Sequence, residues 1–310
     1  MNDNREPGAA GRIVIAGGRG FIGRHLTRHL TALDHEVVIL TRSSTPRPMQ
    51  RGRLVPWTPD SQGPWCSELN GARAVVNLCG APIAGPRWTN ARKRHLEASR
   101  TLPTRTLVTA MERLDAPPAL LVQASGVGYF GATPGQPDDP SLDEQAPPGS
   151  DFLARLAVAW EAAAADARAP CARMRFGVVL GRDGGALPQM LLPFRLYVGG
   201  RIGSGRQWLP WVHVHDAVRA IAFVIEHALP GAFNVVAPEA VSNATFAGVA
   251  AHALRRPALL PLPRLVLQAA LGEQATLLCD GQRVEPKALL RAGFRFQFPD
   301  IDGALADLTR

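Results

Sequence analysis

Ile13-Val14-Ile15-Ala16-Gly17-Gly18-Arg19-Gly20-Phe21-Ile22-Gly23-Arg24-His25-Leu26 is the stretch whose reading decides the fold. A β-branched run stops at glycine, and the glycines lead straight into an amphipathic segment. Gly17, Gly20 and Gly23 fall three apart, with Gly18, Arg19, Phe21 and Ile22 filling the same turn. That spacing suits a strand-to-helix turn in which bare backbone approaches a pyrophosphate. The N–H groups and positive end of the helix then hold the negative charge. With 30 glycines in 310 residues, the spacing alone is a weak signal. Its setting strengthens it, because a second strand at Glu36–Leu40 closes a βαβ unit of about 30 residues.

The second strand, Val37-Val38-Ile39-Leu40, is continuously apolar, as a parallel strand covered on both faces should be. It ends in Thr41-Arg42-Ser43. In dinucleotide folds a carboxylate at this position bonds the adenosine ribose of NAD, whereas a basic residue receives the 2′-phosphate of NADP. No acid is present and Arg42 is, with Arg19 placed to close on the same phosphate. NADP is therefore expected over NAD.

Farther on, Ala74–Ala81 reads as a strand ending in small residues, which makes Asn77, Gly80 and Ala81 candidate walls of a cofactor cleft. Asn77 is equally consistent with a satisfied core amide. Residues 87–110 read as helical, with Thr89 as N-cap and a break or kink at Pro103. Leu120–Ser125 is another buried strand, followed by the flexible Gly126–Gly131. The loop 132–150 is long enough for a lid or rim. A helix is expected from Asp151 through Ala167, then one strand over Ala172–Leu180. This alternation predicts an α/β fold, a Rossmann doubly wound parallel sheet with a smaller C-terminal mixed α/β substrate lobe. The expected division is 11–180 for the NADP-binding domain, with contributions from about 211–236, and 181–310 for the lobe.

Composition narrows the class. Hydrophobic residues make up 46% and charged residues 19%, ordinary for a soluble protein. The polar start Met1–Gly8 is no signal peptide, and no apolar run reaches the ~18 residues that cross a bilayer. A cytoplasmic protein that binds no membrane is expected. Four cysteines without a C-x-x-C pair read as thiols in a reducing compartment. The net charge of +8 is spread along the chain without a nucleic-acid motif, so a small-molecule substrate and no nucleic acid are expected. Composition leaves a homodimer open.

Several phrases in order carry a resemblance: Asn77–Ile83, Arg87-Trp88-Thr89, Ser99-Arg100, Ser125–Gly131, Trp160-Glu161, Gly203–Trp208 and, late in the chain, Gly281–Lys287. Over about residues 12–308 the chain resembles the extended short-chain dehydrogenase/reductase superfamily, and more narrowly its YfcH-like, sugar-nucleotide epimerase-like branch. The resemblance implies a dinucleotide-binding Rossmann domain and a substrate-binding lobe, without naming a reaction.

It also exposes a departure. Most of that superfamily uses a tyrosine with a lysine four residues later as proton donor and its activator. Here the two tyrosines, Tyr129 and Tyr197, are followed at that spacing by Thr133 and Arg201. The only lysines are Lys93 and Lys287. On the helix where the pair is expected, Leu153 and Ala157 stand instead. Ser125 matches the serine that polarises a substrate carbonyl, and Tyr129 is the nearest replacement acid. Arg175, Arg206 and Gln207 are candidate substrate contacts, and Glu161 reads as a solvated or ion-paired helix residue. Trp211-Val212-His213-Val214-His215-Asp216 lacks a further ligand at metal spacing, so no metal is expected and Asp216 is taken as a helix N-cap. The expectation is an NADP(H)-dependent atypical reductase or epimerase acting on a small polar substrate, nucleotide-linked ones included. The alternative is a non-catalytic NADP(H)-binding redox sensor or partner-binding protein.

Overall fold

In a computed structural model, the structure describes residues 10–43, 51–133, 135, 139–258 and 261–310. The polar start at Met1–Gly8 and parts of the loops after β2 and after Gly131 lie outside the described residues. The first half lays down β1 (Arg12–Ala16), α1 (Phe21–Ala32), β2 (Glu36–Thr41), β3 (Arg53–Pro56) and β4 (Ala74–Asn77). Then come α2 (Asn90–Glu112), β5 (Leu121–Gly126), α3 (Phe152–Ala162) and β6 (Cys171–Phe176). After these come β7 (Val178–Gly181), β8 (Gly184–Gly185), α4 (Leu187–Arg195), β9 (Trp208–Leu209), β10 (Trp211–His213), α5 (Val214–Glu226) and β11 (Gly231–Val235).

One seven-stranded sheet in the order β11-β6-β5-β4-β1-β2-β3, parallel throughout, forms the centre. This is the doubly wound Rossmann arrangement that the strand–helix alternation predicted. Its continuous apolar strands divide their side chains between two faces, as a period of two requires. Ile13 and Ile15 pack with Leu26 and Leu30 of α1 and Ile221 of α5. Val14 and Ala16 pack on the other face with Leu107 and Met111 of α2.

Helix α2 runs unbroken through Pro103, contrary to the expected break. Proline removes one helical hydrogen bond, but Leu96, Leu107 and Met111 are buried on either side of it, and that packing keeps the helix continuous. The expected strand over Ala172–Leu180 is also two strands. At Gly177 the chain leaves the central sheet, and β7 pairs instead with β10. A Cβ at Gly177 would stand 2.6 Å from the Pro210 carbonyl oxygen, so the fork needs glycine there.

The remaining elements are β12 (Val241–Ser242), α6 (Asn243–Leu254), α7 (Arg264–Leu271), α8 (Thr276–Cys279), α9 (Lys287–Arg291) and α10 (Ile301–Thr309). Leu187, Leu191, Trp211, Phe246, Ile301 and Leu305 form a separate core for this lobe. Leu289 and Phe294, by contrast, pack back onto the main sheet core. The described part of the loop before α3 is tied to the lobe: Thr133 N donates to Gly281 O at 2.9 Å, and Leu142 N to Arg283 O at 2.8 Å. No described helix is long and apolar enough to cross a membrane.

The expected N-cap at Asp216 is corrected. The cap of α5 is His213, whose ring nitrogen accepts from His215 N at 3.0 Å. Asp216 is fully buried in the first turn and accepts from Gln297 N, Phe298 N and Arg219. It ties the last segment of the chain to α5.

Candidate functional site

The strand order reverses between β1 and β4, and the glycine turn leaves β1 at that switch point. Each glycine there has its own reason. Gly17 has φ +82°, and a Cβ on it would lie 2.8 Å from the Leu78 carbonyl. A Cβ at Gly23 would lie 2.5 Å from Gly18 Cα, and one at Gly18 2.8 Å from Ile39 Cγ2. These three let strand, turn and helix close up. Gly20 differs, since its Cβ would meet only Gly17 O, at 3.2 Å. It is the exposed N-cap of α1, whose first turn contains no acid and has N–H groups without intrahelical partners. A bare, acid-free helix start at a switch point fits a dinucleotide pyrophosphate.

A cavity of about 700 Å³ opens from this turn. Gly17, Gly20, Phe21, Ile22, Gly23 and Gly80 contribute to its wall from the Rossmann side, Ser125 from the end of β5, and Trp208, Asp280 and Gln282 from the C-terminal lobe. Phe21 is wedged against three glycines of the β7–β8 hairpin: a Cβ at Gly181, Gly184 or Gly185 would come within 2.7 Å of its ring.

Other residues expected at the site are arranged around this cavity without lining it. Arg19 and Arg42 are both exposed, beyond the ends of β1 and β2. Burial pushes the Cys79 thiol up to about 12, and Arg42 is near enough to act against that shift. Gly18 lies behind the turn. Asn77 is fully buried, donating to Thr104 Oγ1 and Gln123 Oε1 and accepting from Cys79 N at 3.1 Å, so it shapes the exit of β4. Ala81 N is bonded to Ser99 Oγ at 3.0 Å.

Around Ser125 the structure assembles a buried network that pattern reading missed. Ser125 Oγ donates to Glu161 Oε1 at 2.7 Å. Glu161 in turn takes a two-pronged ion pair from Arg175, Nε to Oε1 at 2.8 Å and Nη2 to Oε2 at 3.0 Å. The Arg175 guanidinium lies 3.5 Å from the centroid of the Tyr129 ring. Ser125, Glu161 and Arg175 are 4%, 8% and 4% exposed, so Glu161 is ion-paired but far from solvated. Arg175 and Tyr129 are thus outside the cavity wall, one held by Glu161 and the other covered by Arg175. The phrases Ser125–Gly131 and Trp160-Glu161 carried Ser125, Tyr129 and Glu161 of this network in the sequence, but not their pairing.

Leu153 and Ala157, where the usual tyrosine and lysine are expected, do line the cavity. They make that wall apolar. Arg206 is exposed, and Gln207 is buried, its amide donating to Ile202 O and Leu278 O. Arg100, absent from the sequence-based candidates, lines the cavity while 6% exposed. His213 stacks on Phe298 with ring centroids 3.9 Å apart. Among the described residues no group of three or more His, Cys, Asp or Glu is arranged to hold a metal.

Residues 13–236 match the NAD dependent epimerase/dehydratase family, and residues 262–308 match a domain of unknown function, DUF1731. The epimerase family protein YfhF of Bacillus subtilis is 38% identical over 300 residues, covering 96% of this chain and 97% of that protein. Human epimerase family protein SDR39U1 is 39% identical over 314 residues, covering 96% and 99%. The crystal structure of human SDR39U1 (isoform 2) with NADPH superposes with a TM-score of 0.86 at 36% identity, covering 96% of this chain and 99% of that one. The chain belongs to the NAD dependent epimerase/dehydratase family, in its atypical extended short-chain dehydrogenase/reductase group.

Proposed function

We propose that this family member is an NADP(H)-binding, atypical extended short-chain reductase or epimerase-like protein that acts on a small polar, nucleotide-linked substrate. One observation carries the reading: a single cavity is walled by the glycine turn, by Ser125 and by residues of the C-terminal lobe. The relative crystallised with NADPH supports the cofactor, as do the exposed Arg42 and the missing acid at the end of β2. Residues of the turn, Gly17 to Gly23, would hold the pyrophosphate, and Arg42 with Arg19 the 2′-phosphate.

Bound NADP(H) supplies a hydride donor or acceptor, which the protein must hold within about 3–3.5 Å of the reacting carbon. The chain's own part centres on Ser125. With its hydrogen directed to Glu161, the serine oxygen turns its lone pairs to the cavity and accepts a hydrogen bond from a substrate hydroxyl. Arg175 holds Glu161 in place, and Tyr129 supports Arg175 from the other side. Leu153 and Ala157 keep water from that wall.

The apolar wall at Leu153 and Ala157 also favours a second reading, a non-catalytic NADP(H)-binding sensor or partner-binding protein. Titration with NADP⁺, NADPH, NAD⁺ and NADH, followed by turnover on a panel of carbonyl compounds and sugar nucleotides, separates the two. Equal or tighter binding of the NAD pair overturns the NADP assignment. Tight NADPH binding without turnover on any member of the panel selects the sensor.

A further inference from the structure

Among the described residues, the cavity wall holds one cation, Arg100, without a counter-charge. Arg100 makes no ion pair among the described residues, although it is 6% exposed. Its Nη1 donates to Leu96 O at 3.0 Å and Ser99 Oγ at 3.3 Å, and its Nη2 to Ala81 O at 3.0 Å. The Nε–H has no acceptor among the described residues. The guanidinium carbon lies 5.0 Å from the Trp160 ring centroid and would sit 3.1 Å from a Cβ at Gly80. Gly80 is therefore bare because Arg100 occupies the space beside it.

Each acid in the same wall is already answered. Glu273 is paired with Lys93 at 2.5 Å, and Asp280 with Arg264 at 2.8 Å. Asp151 caps α3, accepting from Ala154 N at 2.8 Å and from Ala132 N at 2.9 Å. Glu161, next to Trp160, is matched by Arg175. A second cation deepens the imbalance. Arg92, two turns earlier on α2, donates to the carbonyl of the wall residue Pro82 at 2.6 Å, while its buried Nε has no partner among the described residues. Burial, and after it the charge of Arg92, lowers Arg100 to about 10. A buried cation beside a half-buried one, with no counter-ion among the described residues, is unfavourable, and arginine's planar fork suits carboxylates and phosphates.

We propose that Arg100, with Arg92 behind it, forms an anion subsite in the cleft, where a carboxylate or phosphate of the substrate lies against Gly80 and Trp160. This rests on the reading of the cleft as a substrate site and says what that substrate carries at its Rossmann-side end. It is separate from the pyrophosphate cradle on α1.

Glycerate, glycerol 3-phosphate and glycerol test it, each titrated with and without NADPH and followed by calorimetry and by tryptophan fluorescence, to which Trp160 contributes. At least one of the two anions should bind at least tenfold more tightly than glycerol. Glycerate alone identifies a carboxylate, and glycerol 3-phosphate alone a phosphate. Arg100→Met should abolish the preference and leave NADPH affinity within threefold. Arg100→Lys, which keeps the charge should the methionine variant not fold, should retain the preference at weaker affinity. Binding of glycerol as tight as that of both anions, or no binding of either anion, overturns the proposal. So does a tenfold loss of NADPH affinity in Arg100→Met with the anion preference intact, because the arginine would then serve the cofactor. The NADPH titration of the wild type reads the proposed function separately: anion preference without NADPH binding supports the subsite while removing the cofactor assignment.

Discussion

Ser125 Oγ donates its hydrogen to Glu161 Oε1 at 2.7 Å across the gap between β5 and α3. The serine is held by a carboxylate that is itself locked by Arg175, so its orientation does not depend on a bound substrate. Ser125→Ala should leave NADPH affinity within threefold and lower turnover on an active substrate by about 10²-fold or more. Steady-state kinetics beside a fluorescence titration checks both halves.

Breaking the ion pair behind the serine tests its structural weight. Glu161→Gln leaves the Arg175 guanidinium buried without a charge partner and should destabilise the fold by about 3–5 kcal/mol. Glu161→Gln combined with Arg175→Met should lose less than Glu161→Gln alone. Urea denaturation of the single and double variants measures the difference, and an equal or larger loss in the double variant would count against the pairing argument.

Gly20 and Gly23 should behave differently despite their matched spacing. A methyl at Gly23 meets backbone at 2.5 Å, so Gly23→Ala should unfold or strongly destabilise the domain. A methyl at Gly20 meets only one oxygen, at 3.2 Å. Gly20→Ala should therefore stay within about 1 kcal/mol of wild-type stability while weakening NADPH at least tenfold. Melting curves and NADPH titration of both variants decide it.

Arg42→Asp puts at the end of β2 the acid that bonds a ribose 2′-hydroxyl and repels a 2′-phosphate. The ratio of NADPH to NADH affinity should fall by at least tenfold. An unchanged ratio would remove Arg42 from the site. Tyr129→Phe keeps the ring under Arg175 and removes only the hydroxyl, so turnover should stay within threefold. A hundredfold loss would instead make that hydroxyl the proton donor.

Acid should loosen α5. Burial lowers the pKa of His213, with the Asp307 carboxylate opposing, and its cap on His215 N needs an unprotonated ring nitrogen. His29 and His215, beside it, are also lowered chiefly by burial. A histidine lowered in the fold contributes stability that is fully present above its unfolded value, here 6.5, and is lost as pH falls through the folded value. Stability should therefore drop as pH falls below 6.5, and His213→Asn, which can still cap, should flatten that dependence. Melting temperatures at stepped pH test this.

The βαβ opening, the buried parallel strands and the glycine turn were all legible because they depend on local order: β-branched runs, glycine spacing and a period that both faces of a sheet share. The missing tyrosine–lysine pair was legible for the same reason, being a matter of spacing alone. The absence of a break at Pro103 and the fork at Gly177 were not legible, because their outcome is decided by neighbours distant in sequence. Buried leucines on both sides carry α2 through Pro103, and the Pro210 carbonyl splits the strand at Gly177. Arg175 was expected in the substrate cleft because an arginine at a strand end resembles any other. Only its pairing with Glu161, fourteen residues away in sequence, removes it from the cleft wall.

The sequence by itself therefore determined the Rossmann sheet, the glycine turn after β1 and the lack of the usual catalytic pair, since each is set by residues adjacent in the chain. The tertiary structure alone decided which charges are neutralised and which are left to face the cleft. Charge balance in a buried wall depends on partners brought together from α2, α3, β6 and the C-terminal lobe. For that reason Arg175, a substrate-contact candidate by its position, is internally satisfied, while Arg100, quoted only within the phrase Ser99-Arg100, faces the cavity without a counter-charge among the described residues.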